Sequence, residues 1–179
     1  MISDEEKLIE LRNEIDSIDN AIHDLIMRRT SVVEGVCEIK KGSAVKIRPS
    51  REASILYRLC AQHKGFFPKR ALCRIWRELI VATLSLEGPF SVAVYDPGDF
   101  PGYWDLARDQ YGTFTPMQRH SSARAVVEEV RELKATVGVL PFPSRDHDNP
   151  WWRFLVSDAP ATPKVVARLP FVPGANVHD

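Results

Sequence analysis

Between Leu8 and Ile39 the apolar residues fall three and four apart: Leu8, Leu11, Ile15, Ile18, Ile22, Leu25, then Val32, Val36 and Ile39. That rhythm puts them on one stripe of a single helix, continuous for more than four heptads. The pattern predicts a helix from about Ser3 to Lys41, broken by Gly42 and Ser43. A helix of ~35 residues is over 50 Å long at 1.5 Å per residue. Two short helices of the same chain cannot cover such a stripe, so a second chain is its natural cover. One position breaks the rule. Arg29 stands where the seam asks for another Leu or Ile, and burying a guanidinium without an anion costs several kcal/mol or more.

Two shorter helices follow. One starts near Pro49 and Ser50, carries Ile55, Leu56, Leu59 and Cys60 on one side, and ends before Gly65. The next starts at Pro68, shows Leu72, Ile75, Trp76, Leu79 and Ile80, and stops at Gly88. Composition then changes. Of the 13 prolines in the 179 residues, only Pro49 and Pro68 precede Pro89. After it, short Val-rich runs alternate with helical patterns. Strands are expected at Phe90–Tyr95, Thr113–Met117, Ala135–Leu140 and Val165–Leu169, and helices at Tyr103–Tyr111 and Ser121–Leu133. The reading is an α+β multidomain chain: an all-α three-helix domain over 1–88, then a small α/β domain over 89–179 with a parallel or mixed sheet.

Bulk properties exclude several classes. Formal net charge is zero and the pI is about 7.0, which argues against nucleic-acid or membrane-surface partners. No run reaches the ~18 apolar residues of a membrane span. The acidic start MISDEEK does not read as a signal peptide, so a cytoplasmic location is expected. Cys37, Cys60 and Cys73 lack metal-ligand spacing and read as reduced core thiols. Asp146, His147 and Asp148 read as a polar loop. No metal and no cofactor is expected.

The charged residues suggest a pocket. Lys40 lies 11 residues beyond Arg29, a rotation of about 20° and ~16 Å along the axis, so the two long side chains can converge. Arg12 borders the seam ~25 Å from Arg29. If both serve one pocket, Arg12 comes from an antiparallel partner helix. The second helix opens with Arg48-x-x-Arg51-Glu52, and the third ends with Thr83-x-x-x-Glu87, one turn apart. Facing inward, these residues form a cationic cavity suited to a small dicarboxylate. The plainer alternative is that Arg29 makes a structural ion pair with Glu34, Glu52 or Glu78.

The order and spacing of Leu11-Arg12 with Ile15 and Ile18-Asp19, Met27-Arg28-Arg29, Ile39-Lys40, Arg51-Glu52, and Thr83 with Glu87 resemble the all-helical class of chorismate mutase. That class is a domain-swapped homodimer of three-helix chains. The resemblance implies that Arg29 and the partner's Arg12 hold the substrate carboxylates and that Arg51 lines the pocket. Glu52 would accept from the substrate hydroxyl, Lys40 would donate to the ether oxygen, and Thr83 would help bind a carboxylate. Glu87 falls where many relatives carry Gln, a second donor to the ether oxygen. Arg48 lies nearest the place where the family often has Asp. The implied reaction folds a flexible dianion and stabilises charge growing on the ether oxygen, without nucleophile or metal.

The second half resembles, more faintly, the opening lobe of prephenate dehydratase-like domains through Ser91-Val92-Ala93-Val94-Tyr95, Tyr111-Gly112 and Val137-Gly138-Val139-Leu140-Pro141. No Thr-Arg-Phe motif is present, and the chain runs out near Val172, short of a second lobe. No dehydratase activity is therefore expected. Trp151-Trp152 reads as core packing, with an aromatic ligand site as the alternative. Other functions compatible with the first half are a pyruvate-releasing lyase acting on isochorismate, a non-catalytic sensing or partner-binding subunit with a relic pocket, and a plain helical dimerisation domain.

Overall fold

The computed structural model describes residues 3–39, 47–98, 102–143 and 150–171. It divides into two compact units, Met1–Ala44 and Val45–Asp179. The first is one helix, α1 (Asp4–Ile39), 36 residues without a break. Ser3 caps it: its hydroxyl accepts from the Glu6 N–H at 3.2 Å, and the Glu6 carboxylate accepts from the Ser3 N–H at 2.7 Å. This reciprocal pair satisfies two backbone donors that a helix start otherwise leaves open, and the same bonds hold the Glu6 carboxyl below its usual range. No residue of α1 is buried. The seam stands open along its length, from Leu8 at 46% exposure to Leu25 at 62% and Val32 at 63%.

The second unit begins with a helical hairpin, α2 (Pro49–Gln62) and α3 (Lys69–Leu84), extended by a 3-10 turn at Ser85–Glu87. Pro49 opens α2, where its missing N–H costs nothing. Pro68 is the residue just before α3 rather than within its first turn. The buried stripe of α3 is Cys73, Arg77, Ile80, Val81 and Leu84. It is rotated from the expected stripe, of which Ile75 is exposed. The reason lies beyond Gly88. Val81 and Leu84 join Phe90, Val92, Val94, Ala107, Tyr111, Val137 and Val139 in the main core, so the α/β layer selects which face of α3 is inside.

That layer is a three-stranded sheet of order β2-β1-β3, with β1 (Val92–Tyr95) central and parallel to both β2 (Met117–His120) and β3 (Val137–Val139). Helix α4 (Tyr103–Tyr111) connects β1 to β2, and α5 (Ala123–Arg131) connects β2 to β3. A central parallel strand is covered on both faces and so reads as a continuous apolar run. Val92 and Val94 pack into the core shared with α3 and α4, while Ala93 packs with Val126 of α5. Gly138 has no side chain because a Cβ there would stand 2.7 Å from Val126 Cγ1. Gly112 ends α4 with φ +80°, and a Cβ there would meet the Glu78 carboxylate at 2.8 Å.

Two expected strands differ. β2 starts later than expected because the Pro116 carbonyl is where pairing begins, accepting from the Val92 N–H at 3.0 Å. Residues 165–169 form no strand. Val165 and Val166 are exposed, and Pro163 and Pro170 bracket the segment and would each lack a ladder donor if it were extended. Trp151 is buried against Ala123 and Val127, with Trp152 edge-on to it at 6.2 Å. The tryptophan pair is therefore core packing. Asp146, His147 and Asp148 lie outside the described residues.

Because Val81 and Leu84 are covered by residues beyond Gly88, a 1–88 fragment loses the burial of both side chains, about 3–6 kcal/mol together. Urea unfolding of fragment and whole chain is expected to show a clearly lower midpoint for the fragment. Equal midpoints would show that the α/β layer does not stabilise α3.

Candidate active site

Each candidate residue has a defined position, except Lys40, which lies outside the described residues. Arg12 and Arg29 are both on α1. Since that helix is unbroken between them, their Cα atoms are separated by 17 rises of 1.5 Å, ~25 Å. Arg12 is exposed and Arg29 is half-buried. Burial lowers the proton affinity of the Arg29 guanidinium, the direction expected for a cation moved from water.

The other candidates gather at one end of the α2–α3 hairpin. Three observations set its antiparallel register. Cys60 near the end of α2 meets Cys73 near the start of α3, Sγ to Sγ 3.2 Å. Glu52, earlier in α2, feels the charge of Arg77, later in α3. Ile47, just before α2, packs on the core that holds Val81 and Leu84. Arg48, Arg51 and Glu52 at the start of α2 therefore share an end with Thr83 in the last turn of α3 and Glu87 beyond it.

Their local chemistry differs. The Arg48 carbonyl accepts from the N–H groups of Arg51 at 2.9 Å and Glu52 at 3.0 Å. Arg48 and Arg51 have exposed side chains, while Glu52 is half-buried. The Glu52 carboxyl is raised above its usual range by burial, against the backbone N–H of Arg48 and the charge of Arg77, which pull it down. A carboxyl short of water with few local donors is suited to accept from a ligand hydroxyl. The Thr83 hydroxyl donates back to its own helix, 2.8 Å from the Ile80 carbonyl and 3.3 Å from that of Leu79. It must rotate away before donating to a ligand carboxylate. Glu87 closes a 3-10 turn rather than continuing α3. The one-turn spacing from Thr83 is thus not that of a continuous α-helix.

Glu78 accepts from the Thr113 N–H at 3.3 Å and hydroxyl at 3.0 Å. It fastens α3 to the loop after α4. The sequence reading passed over Arg77, which is 3% exposed. Its Nη1 donates to the Asp109 carbonyl at 3.5 Å. The signal was present: Arg77 interrupts the stripe Cys73, Ile80, Val81, Leu84 as Arg29 interrupts the seam of α1. Tyr111, the last residue of α4, is also close. Burial, and then the charge of Glu52, pushes its phenol above the ordinary range. Arg77 and Tyr111 thus couple the α2 start to the α/β layer. Among the described residues no cluster of His, Cys, Asp and Glu could hold a metal.

Comparison with known proteins points to one family. Residues 11–88 match the family model for chorismate mutase type II. The chain is 36% identical over 141 residues to a bifunctional chorismate mutase/prephenate dehydratase of Aquifex aeolicus (strain VF5), covering 76% of this chain and 39% of that protein. It is 33% identical over 147 residues to the bifunctional protein of Pseudomonas aeruginosa, covering 78% and 40%. A chorismate mutase of Methanocaldococcus jannaschii is 44% identical over 62 residues, 32% of this chain and 63% of that protein. The chain spans about two fifths of the length of the bifunctional relatives. Both alignments with those relatives are longer than the family match, so the likeness continues into the α/β layer.

Glu52 yields a pH test. Its carboxyl binds a proton more tightly folded than unfolded. Its contribution to stability is therefore full below the unfolded value and declines as pH rises toward the folded value. Glu52→Gln removes that decline. From roughly pH 4 to 7, urea midpoints of the variant are expected to gain on the parent. A constant difference across that range would show that Glu52 is not desolvated.

Proposed function

We propose that this chain is a chorismate mutase, converting chorismate to prephenate in a homodimer whose two sites each draw on both chains. One observation carries the reading: an unbroken α1 with its apolar seam uncovered and Arg29 set within that seam. A second α1, packed antiparallel, would cover the seam and bring its Arg12 toward Arg29. The match of residues 11–88 to the mutase family and the grouping of Arg51, Glu52, Thr83 and Glu87 at one hairpin end support it. A cytoplasmic setting belongs to the same proposal. Among the described residues no helix is long and apolar enough to cross a membrane.

In this mechanism Arg29 and the partner's Arg12 clamp the substrate carboxylates, each able to bind bidentately. Arg51 lines the pocket, and Thr83 turns its hydroxyl from its own helix to a carboxylate. Glu52 accepts from the ring hydroxyl. The clamp holds the dianion folded so that the reacting carbons meet. Lys40 and Glu87 face the ether oxygen, where negative charge grows as the C–O bond breaks. Arg48 is exposed and replaces a residue the family often has as Asp, so it steers the anion without touching the reacting atoms. Residues 89–179 support the mutase hairpin through Arg77, Tyr111 and the core under α3. We assign them no dehydratase step, because the sequence has no Thr-Arg-Phe triplet.

Purified protein is expected to consume chorismate, followed by its absorbance, with prephenate as product by chromatography. Pyruvate from isochorismate would favour the lyase, and no turnover of either would favour a binding subunit. Phenylpyruvate formed from prephenate would overturn the assignment of residues 89–179.

Arg29→Ala and Arg12→Ala are each expected to lower kcat/KM about 10²–10³-fold. Mixed and exchanged, the two inactive chains should recover about a quarter of parental activity, because half the dimers then hold one intact site. No recovery after verified subunit exchange would remove the composite site.

Glu87 can donate only as a neutral acid, since a carboxylate has no proton to give. Glu87→Gln supplies a permanent donor and should raise activity near pH ~8. A variant no more active than the parent there would take Glu87 out of the mechanism.

A further inference from the structure

Cys60 and Cys73 are the two thiols of the hairpin. Cys60 lies on the last turn of α2 and Cys73 on the second turn of α3, 13 residues apart in sequence. Their sulfurs are 3.2 Å apart. A disulfide needs about 2.05 Å, so roughly 1.2 Å of approach by two side chains closes it. Both cysteines sit in the contact stripe of the hairpin. Cys60 is one turn beyond the fully buried Leu56, and Cys73 is one turn before Arg77.

We propose that Cys60 and Cys73 form a reversible disulfide that staples α2 to α3 when the chain meets a low-molecular-weight disulfide oxidant. The two thiols differ in the way such a reaction requires. Cys60 is half-buried and so open to solvent, whereas Cys73 is buried. Burial, and then the neighbouring Cys60, pushes the Cys73 thiol up to about 11, with Arg77 pulling the other way. Cys73 is therefore a poor first nucleophile, and Cys60 is the entry point.

The Cys60 thiolate attacks one sulfur of the oxidant, forms a mixed disulfide and releases one thiol. Cys73 then gives up its proton and attacks Sγ of Cys60. The intrachain bond forms as the mixed bond breaks and the second thiol leaves. Two protein thiols are oxidised and one external disulfide is reduced to two thiols.

The staple closes a short loop around residues 61–72. It lies ~12 Å along α2 from Glu52 and ~15 Å along α3 from Thr83. It therefore firms the closed end of the hairpin and leaves the end carrying Arg51, Glu52 and Thr83 free. Cys37, the third cysteine, is on α1 and has no part in it.

The test treats the full chain with oxidised glutathione at about pH 8.5, where thiolates are more abundant. Titratable thiols in denaturant should fall from three to one. A non-reducing peptide map should join the peptides of Cys60 and Cys73. The melting temperature should rise by roughly 6–12 °C, the amount expected for closing a loop of this length in a chain of this size. Dithiothreitol should reverse all three. Cys37→Ser should behave as the parent, with two thiols falling to none, and Cys60→Ser should lose the thermal shift. The proposal is overturned by a stable glutathione adduct on Cys60 without closure. It is equally overturned by cross-linking through Cys37, or by the same thermal shift in Cys60→Ser.

Discussion

The buried stripe of α3 is the constraint on which the second unit depends. Cys73, Arg77, Ile80, Val81 and Leu84 must satisfy two neighbours along one helix. Its upper turns meet α2 through Cys60. Its lower turns enter the core with β1, β3 and α4. The family match ends at residue 88, but the packing does not. A helix that lies within the family match packs on the α/β layer as well.

Electrostatics follow the same axis. Arg77 is a guanidinium almost without solvent, and its position is tolerable because Asp109 and Glu52 lie around it. Glu52 in turn acts on Tyr111. Burial of the Glu52 carboxyl and the charge of Arg77 on α3 thus oppose each other at the start of α2.

Much of this was legible in the sequence where periodicity was strong. The 3–4 rhythm located α1, and alternating Val-rich and helical runs pointed to an α/β layer with a parallel or mixed sheet. Tyr103–Tyr111 stands as α4 with the expected bounds, because Gly112 terminates it sterically. What the sequence hid was choice between faces. Helix α3 has apolar residues on more than one side, and only the later strands decide which side is covered. The same ambiguity concealed Arg77, whose burial depends on α4. Residues 165–169 misled for the opposite reason. Val165 and Val166 have strand propensity, but prolines on both sides leave no ladder for them to join. Of the candidate pocket residues, Arg51, Glu52, Thr83 and Glu87 share a hairpin end because helix lengths and a short connection fix the register. Thr83's hydroxyl bond to its own helix is a local competition that no spacing reveals.

The sheet order also has a consequence in time. β1 sits between β2 and β3, yet both of its partners follow it in the chain. As synthesis proceeds from the N-terminus, α3 and β1 emerge with their apolar faces before Tyr111, Met117 or Val137 exist to cover them. Parallel pairing adds the entropy of closing one connection before each ladder can form. The nascent chain therefore carries an incompletely covered α3 face and a central strand open on its β3 edge until β3 is complete, an interval in which misassembly with neighbouring chains competes with folding.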